Sequence, residues 1–159
     1  MGLQFNTEVS VSDIIDMLSF ISIVIGGVFA LVQWNSNLKV RRAEYIDKLY
    51  SKRADERIRK ILYTFDQTEN WLNRYEKEDE FEIDVDDALS FYSYICYLRN
   101  QRLMKDEEFN FFRYDILRIL TNNDVQELFK RLSNAAGGTT PSCYKDLIKY
   151  GKDELILRY

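Results

Sequence analysis

The side chains best placed to do chemistry in this chain are cations lying beside aromatic rings. Arg99, Arg102 and Lys105 close a segment that carries Tyr92, Tyr94 and Tyr97. A second pair, Lys130 and Arg131, stands just before the run AAGGTTP from Ala135 to Pro141. Guanidinium and ammonium groups hold phosphates and aromatic faces stack on bases, so this is what a nucleotide or short oligonucleotide needs. Arg99, Arg102, Lys130, Arg131 and Tyr97 are therefore the candidate ligand-binding residues. Each cluster also has a purely structural reading, because cations complement the negative end of a helix and tyrosines fill cores.

Bond-making chemistry finds little material. The 159 residues contain no histidine, which removes Ser-His-Asp and Cys-His catalysis, His-ligated zinc and imidazole pH switching. Cys96 and Cys143 are too few for a zinc cluster or a disulfide framework. The acidic run Glu76 to Asp87 lacks the alternating ligands and glycine of a calcium loop, and reads as a solvated loop leading into a helix start. The expectation is a non-enzyme with no cofactor and no metal. A net charge of −4 argues against sequence-blind binding to bulk nucleic acid and leaves room for a local basic pocket.

The charge is laid out in blocks. Residues 1–34 hold three acidic and no basic side chains, residues 35–62 hold nine basic and four acidic, and residues 63–90 hold two and ten. Within the first block, Met17 to Trp34 is 18 residues without a charge. As a helix that stretch rises roughly 27 Å, close to a bilayer's hydrocarbon thickness. Lys39, Arg41, Arg42, Lys48, Lys52 and Arg53 follow it, so the positive-inside rule puts the N-terminus outside and the rest in the cytoplasm. No basic n-region or small-x-small site marks a cleaved signal, and MGLQFN lacks the Ser/Thr of a myristoylation signal. The expectation is a single-pass inner-membrane protein.

This anchor is sorted around its circumference. Asp16, Ser19, Ser22, Ile23, Gly26, Gly27, Ala30 and Gln33 fall within an arc of roughly 140° on a helix. Met17, Leu18, Ile21, Val24, Ile25, Val28 and Val32 occupy the opposite, lipid-suited arc. Ser22, Gly26 and Ala30 make two small-xxx-small steps, which let helix backbones approach closely. The polar and small arc is the candidate pore-lining or helix-packing surface, and a homo-oligomer in the lipid bilayer follows from it.

Downstream, the period stays helical. Leu38, Tyr45, Ile46, Leu49, Ile58, Leu62 and Phe65 recur at three- and four-residue spacing with no Gly or Pro between them, so the anchor is expected to run on as one long helix. A turn follows around Asn70 and Trp71. Val85, Ala88, Leu89, Tyr92, Ile95, Cys96 and Leu98 define the next apolar face, with Cys96 as a core thiol. Asp106 caps a helix bearing Phe109, Phe112, Ile116, Ile119 and Leu120, and Asn122 opens one bearing Val125, Leu128, Phe129 and Leu132. A last helix carries Tyr144, Leu147, Ile148 and Tyr150, with Gly151 placed to stop it. The chain is expected to be all-α, with an N-terminal segment at 1–12, a transmembrane helix at 13–35 and a cytoplasmic helical-bundle domain at 36–159.

The order ALSFYSYICYL, FNFFRYDILRILTNNDVQELFKRL and CYKDLIKYG resembles small bacterial proteins with one membrane helix and a helical cytoplasmic domain. Proteins of this build look like membrane effectors of antiphage systems, such as the Hailong-type channel subunit or the cyclic-oligoadenylate-activated effectors of type III CRISPR systems. The resemblance implies a tetrameric, ion-conducting pore under control of a nucleotide or oligonucleotide on the cytoplasmic side. It also implies a nucleotidyltransferase encoded nearby. The alternative is a non-enzymatic, membrane-tethered adaptor that docks a soluble partner. The sorted arc separates the two, since a tether has no use for it.

Overall fold

The computed structural model describes residues 11–67, 70–139 and 143–154. Residues 1–10, Thr140 and Pro141 lie outside them, and with them most of the expected N-terminal segment and the end of the AAGGTTP loop. Among the described residues every regular element is a helix, and no strand occurs. The helices are α1 Val11–Arg53, α2 Glu56–Gln67, α3 Leu72–Tyr75, α4 Asp79–Asn100, α5 Asp106–Thr121, α6 Asn123–Ala135 and α7 Lys145–Asp153.

Two compact units divide the chain, Met1–Lys48 and Leu49–Tyr159. The first consists of α1 up to Lys48. Its apolar stretch is long and hydrophobic enough to cross a membrane, and none of the most apolar window is buried within the chain. Every arc residue from Asp16 to Gln33 is exposed, and the Ser22 hydroxyl donates back to the Leu18 carbonyl at 2.9 Å. That bond satisfies the hydroxyl within its own helix, as an apolar surrounding requires. Leu38 and Tyr45, expected on a packed face, are exposed as well.

The second unit is a bundle around α4, which packs against α7, α2, α3 and α5. All seven expected apolar positions of α4 and all five of α5 are buried. The one long helix expected to run through Phe65 breaks after Arg53. Asp55 is the cause, because its carboxylate accepts from the Arg57 amide at 2.9 Å and caps α2. Lys105, not Asp106, precedes α5; its amide donates to the Glu108 carboxylate at 2.7 Å. Asn122 does cap α6, accepting from the Val125 amide at 3.0 Å. Its amide group also donates to the Phe65 carbonyl at 2.7 Å, tying α2 to α6.

The turn expected around Asn70 and Trp71 is present, and within it Trp71 is 1 % exposed and packs against Phe65, Tyr75 and Phe81. Three features differ from the sequence reading. Gly151 lies buried inside α7, which ends at Asp153. The acidic run is not a loop, because α4 already begins at Asp79. Within that run Asp86 is half-buried and accepts from the Tyr75 hydroxyl at 2.9 Å and the Tyr144 hydroxyl at 2.5 Å. One carboxylate thus ties α3, α4 and the start of α7.

Burial leaves a signature at alkaline pH. Burial, then the Asp146 charge, pushes the Cys96 thiol from 9.0 up to about 12. Burial, then carboxylate neighbours, raises the hydroxyls of Tyr75, Tyr92 and Tyr144. A group raised in the folded state keeps its proton while the unfolded chain loses it. Stability is therefore unaffected below about pH 8.5 and falls as pH rises beyond it, by about 1.4 kcal/mol per pH unit for the thiol alone. The tyrosines steepen the fall above about pH 10. Urea unfolding of the full chain in detergent between pH 8 and 11 measures this, and Cys96→Ala should flatten the slope at its start.

Candidate functional site

The C-terminal turn of α1, the body of α2 and the middle of α5 enclose a cleft of about 580 Å³, lined by Tyr50, Ser51, Arg53, Ala54, Arg59, Leu62, Tyr63, Asp115 and Arg118. The lining carries three guanidiniums against one carboxylate. Its size is that of a small-molecule site.

The three arginines are held differently. Arg53 donates through Nε to Asp115 at 2.6 Å, and the buried Asp115 also accepts from the Tyr92 hydroxyl at 3.0 Å. The Asp115 hydrogen bond raises the Arg53 pKa further, so its charge is permanent. Arg118 donates through Nε to Asp66 at 2.5 Å and through a terminal nitrogen to the Leu62 carbonyl at 2.8 Å. Arg59 is exposed and has no side-chain ion pair among the described residues. A guanidinium has five N–H donors, so Arg53 and Arg118 keep donors for a ligand after these bonds.

Aromatic faces border the same cleft. The Arg118 guanidinium lies 5.9 Å from the Tyr63 ring centroid, and Tyr63 is 54 % exposed. Tyr50 meets Phe111 edge-to-face at 5.1 Å, and Phe111 is exposed on its other side. Burial raises the Tyr50 hydroxyl, which has no hydrogen-bond partner among the described residues.

The residues expected from sequence lie elsewhere. Arg99 stacks on Phe109 at 4.6 Å and Tyr150 at 5.1 Å and pairs with Asp106 at 3.4 Å, so it ties α4, α5 and α7 together. Arg102 occupies a left-handed position, φ 57°, in the turn that ends α4; the Leu103 amide returns to the Leu98 carbonyl at 2.9 Å. Tyr97 is exposed and stacks on Tyr94 at 6.1 Å. Lys130 is exposed, and Arg131 pairs with Glu127 at 3.1 Å and with Glu76. None of these residues lines the cleft. Among the described residues no group of three or more carboxylate or thiol side chains is placed to hold a metal ion.

Sequence spacing held part of the signal for the cleft. Arg53 and Arg59 belong to the basic block that the positive-inside rule explains by topology alone. Arg118 stands 52 residues from its partner Asp66, and nothing local joins it to α2. The chain matches no family model, no curated protein and no solved structure.

Proposed function

We propose that this protein is an oligomeric membrane effector of an antiphage defence system. Its apolar helix assembles with copies of itself into an ion-conducting pore or a membrane-perturbing bundle. A nucleotide or short oligonucleotide on the helical domain sets the state of that assembly. One observation carries the reading: α1 is a single helix from Val11 to Arg53 that bears the polar and small arc and ends in the wall of an arginine-lined cleft. A tether would need neither the sorted arc nor a ligand-sized cleft on its last turn. The absence of histidine fits an effector that acts by conducting, not by catalysis. The tetramer and the nearby nucleotidyltransferase remain part of the proposal through the resemblance alone.

The two native cysteines provide the test. Cys143 is exposed and Cys96 is buried, so a membrane-impermeant maleimide reports on Cys143. In intact cells Cys143 is expected to stay unlabelled and to react after permeabilisation, with the chain in the membrane fraction. Expression beside the neighbouring genes during phage challenge should depolarise the cell and lower plaque counts. Labelling in intact cells would reverse the topology, and a soluble monomer would remove the anchor. A membrane-bound chain that never changes the potential would leave the adaptor in its place.

A further inference from the structure

We infer that the cleft between α1, α2 and α5 is a nucleotide site, in which Arg59 and the unused donors of Arg53 and Arg118 hold phosphate while Tyr63 stacks on the base. The inference rests on the proposed function for the ligand's role, but its chemistry comes from the cleft. Three guanidiniums converge on one concavity; Arg53 is paired with Asp115 and Arg118 with Asp66, while Arg59 has no ion pair among the described residues. The charge left over among the described residues is therefore that of Arg59, with the spare donors of Arg53 and Arg118 beside it. A charge left over in a walled cleft calls for an anionic ligand, and the planar fork of arginine favours phosphate or carboxylate oxygens over a simple halide.

The aromatic border narrows the class further. Tyr63 leaves most of its ring open beside Arg118, which is the arrangement that stacks a flat heterocycle next to a bound phosphate. A lipid headgroup or inorganic phosphate would use the cations and leave the ring idle. A cleft of about 580 Å³ exceeds what one phosphate fills and suits a nucleotide. The site also explains how occupancy can reach the anchor. Arg53 lies on α1 itself, whereas Arg59 and Arg118 lie on α2 and α5. A phosphate bridging them clamps the last turn of α1 onto the bundle and changes how firmly that helix is held.

The experiment uses the full chain in detergent with four probes: ATP, tripolyphosphate, adenosine and vesicles of phosphatidylglycerol. ATP is expected to bind more tightly than tripolyphosphate, and adenosine least. Arg59→Glu should weaken ATP by at least about tenfold, the scale of one lost charge-assisted hydrogen bond. Because Arg59 is exposed and unpaired among the described residues, that variant should fold like the parent. Tyr63→Ala should weaken ATP and leave tripolyphosphate unchanged, and Lys149→Glu, at an exposed lysine outside the cleft, should change neither. Failure of every soluble probe to bind, or equal affinity in Arg59→Glu and parent, overturns the site. Binding to vesicles alone, lost in Arg59→Glu, makes it a headgroup site and overturns the nucleotide assignment. If ATP affinity falls with Arg102→Glu or Arg131→Glu and not with Arg59→Glu, the ligand-controlled effector stands and the cleft does not. If ATP binds in the cleft and the membrane potential of cells never changes, the nucleotide site stands and the effector does not.

Discussion

Replacing Asp115 by alanine is expected to remove about 3 kcal/mol of stability, the lower end of what breaking a buried pair costs. Asp115 is 4 % exposed and serves two donors, Arg53 at 2.6 Å and the fully buried Tyr92 hydroxyl at 3.0 Å. Without the carboxylate, Tyr92 keeps a buried hydroxyl with no acceptor, and Arg53 keeps a charge with no partner. The Arg53 side chain is 38 % exposed, so it can turn to water, which is why the loss falls at the lower end. Against a total of about 5–15 kcal/mol for a typical domain, that is a large fraction. Asp115→Asn should cost less, since the amide oxygen still accepts from Tyr92. Tyr92→Phe should cost about 1 kcal/mol, the net worth of an ordinary hydrogen bond. Urea midpoints of the three variants in one detergent measure the series. An Asp115→Ala protein within about 0.5 kcal/mol of the parent, the range of ordinary surface changes, would show that the triad adds nothing to the fold.

That triad also marks the boundary of what the sequence could reveal. Period 3.6 sorts residues around one helix, and burial drives them inward, so Val85 to Leu98 and Phe109 to Leu120 fall in the core as the spacing implies. Periodicity carries no information on which helices meet. Arg53 and Asp115 are 62 residues apart, and each alone reads as a surface charge on its own helix. Trp71 was hidden for a related reason. It follows Asn70, whose φ of 62° marks a turn, yet the turn delivers the ring onto Phe65 and Phe81. Asp86 sits among nine other acidic residues between positions 63 and 90, and only the approach of Tyr75 and Tyr144 distinguishes it. Arg99 has a structural role that its sequence neighbourhood does not reveal. Its tyrosine-rich neighbourhood resembles a ligand site in sequence, whereas in the fold the guanidinium stacks between Phe109 and Tyr150. The cleft combines both difficulties, since its cations come from three helices and two of them, Arg53 and Arg59, lie in the basic block that follows the apolar stretch and read there as a topology signal.

Gly26→Leu is expected to weaken self-association by at least about tenfold, which is about 1.4 kcal/mol, and to abolish depolarisation with it. Within one chain the change should be harmless. A Cβ at Gly26 meets no atom within 4 Å, and leucine favours a helix over glycine by roughly 0.5–1 kcal/mol. Any loss of assembly therefore reports on a neighbouring helix, not on α1 itself. Ala30→Leu, one turn further along the same arc, should act in the same direction. Ile23 tests the other half of the proposal. It is 72 % exposed and lies within the arc, between Ala30 and Asp16 around the helix, where an apolar ring would dewet a closed pore. Ile23→Ser should leave the oligomer intact and make the membrane leaky without any ligand. Crosslinking reads assembly, and a potential-sensitive dye reads leakage in the same cells. A serine variant as tight as the parent, with Gly26→Leu still disrupting the oligomer, would keep the helix contact and move the constriction away from Ile23. If all three variants match the parent in both measurements, the arc packs against nothing, assembly belongs to the helical domain, and the anchor is a passive tether for a docking protein.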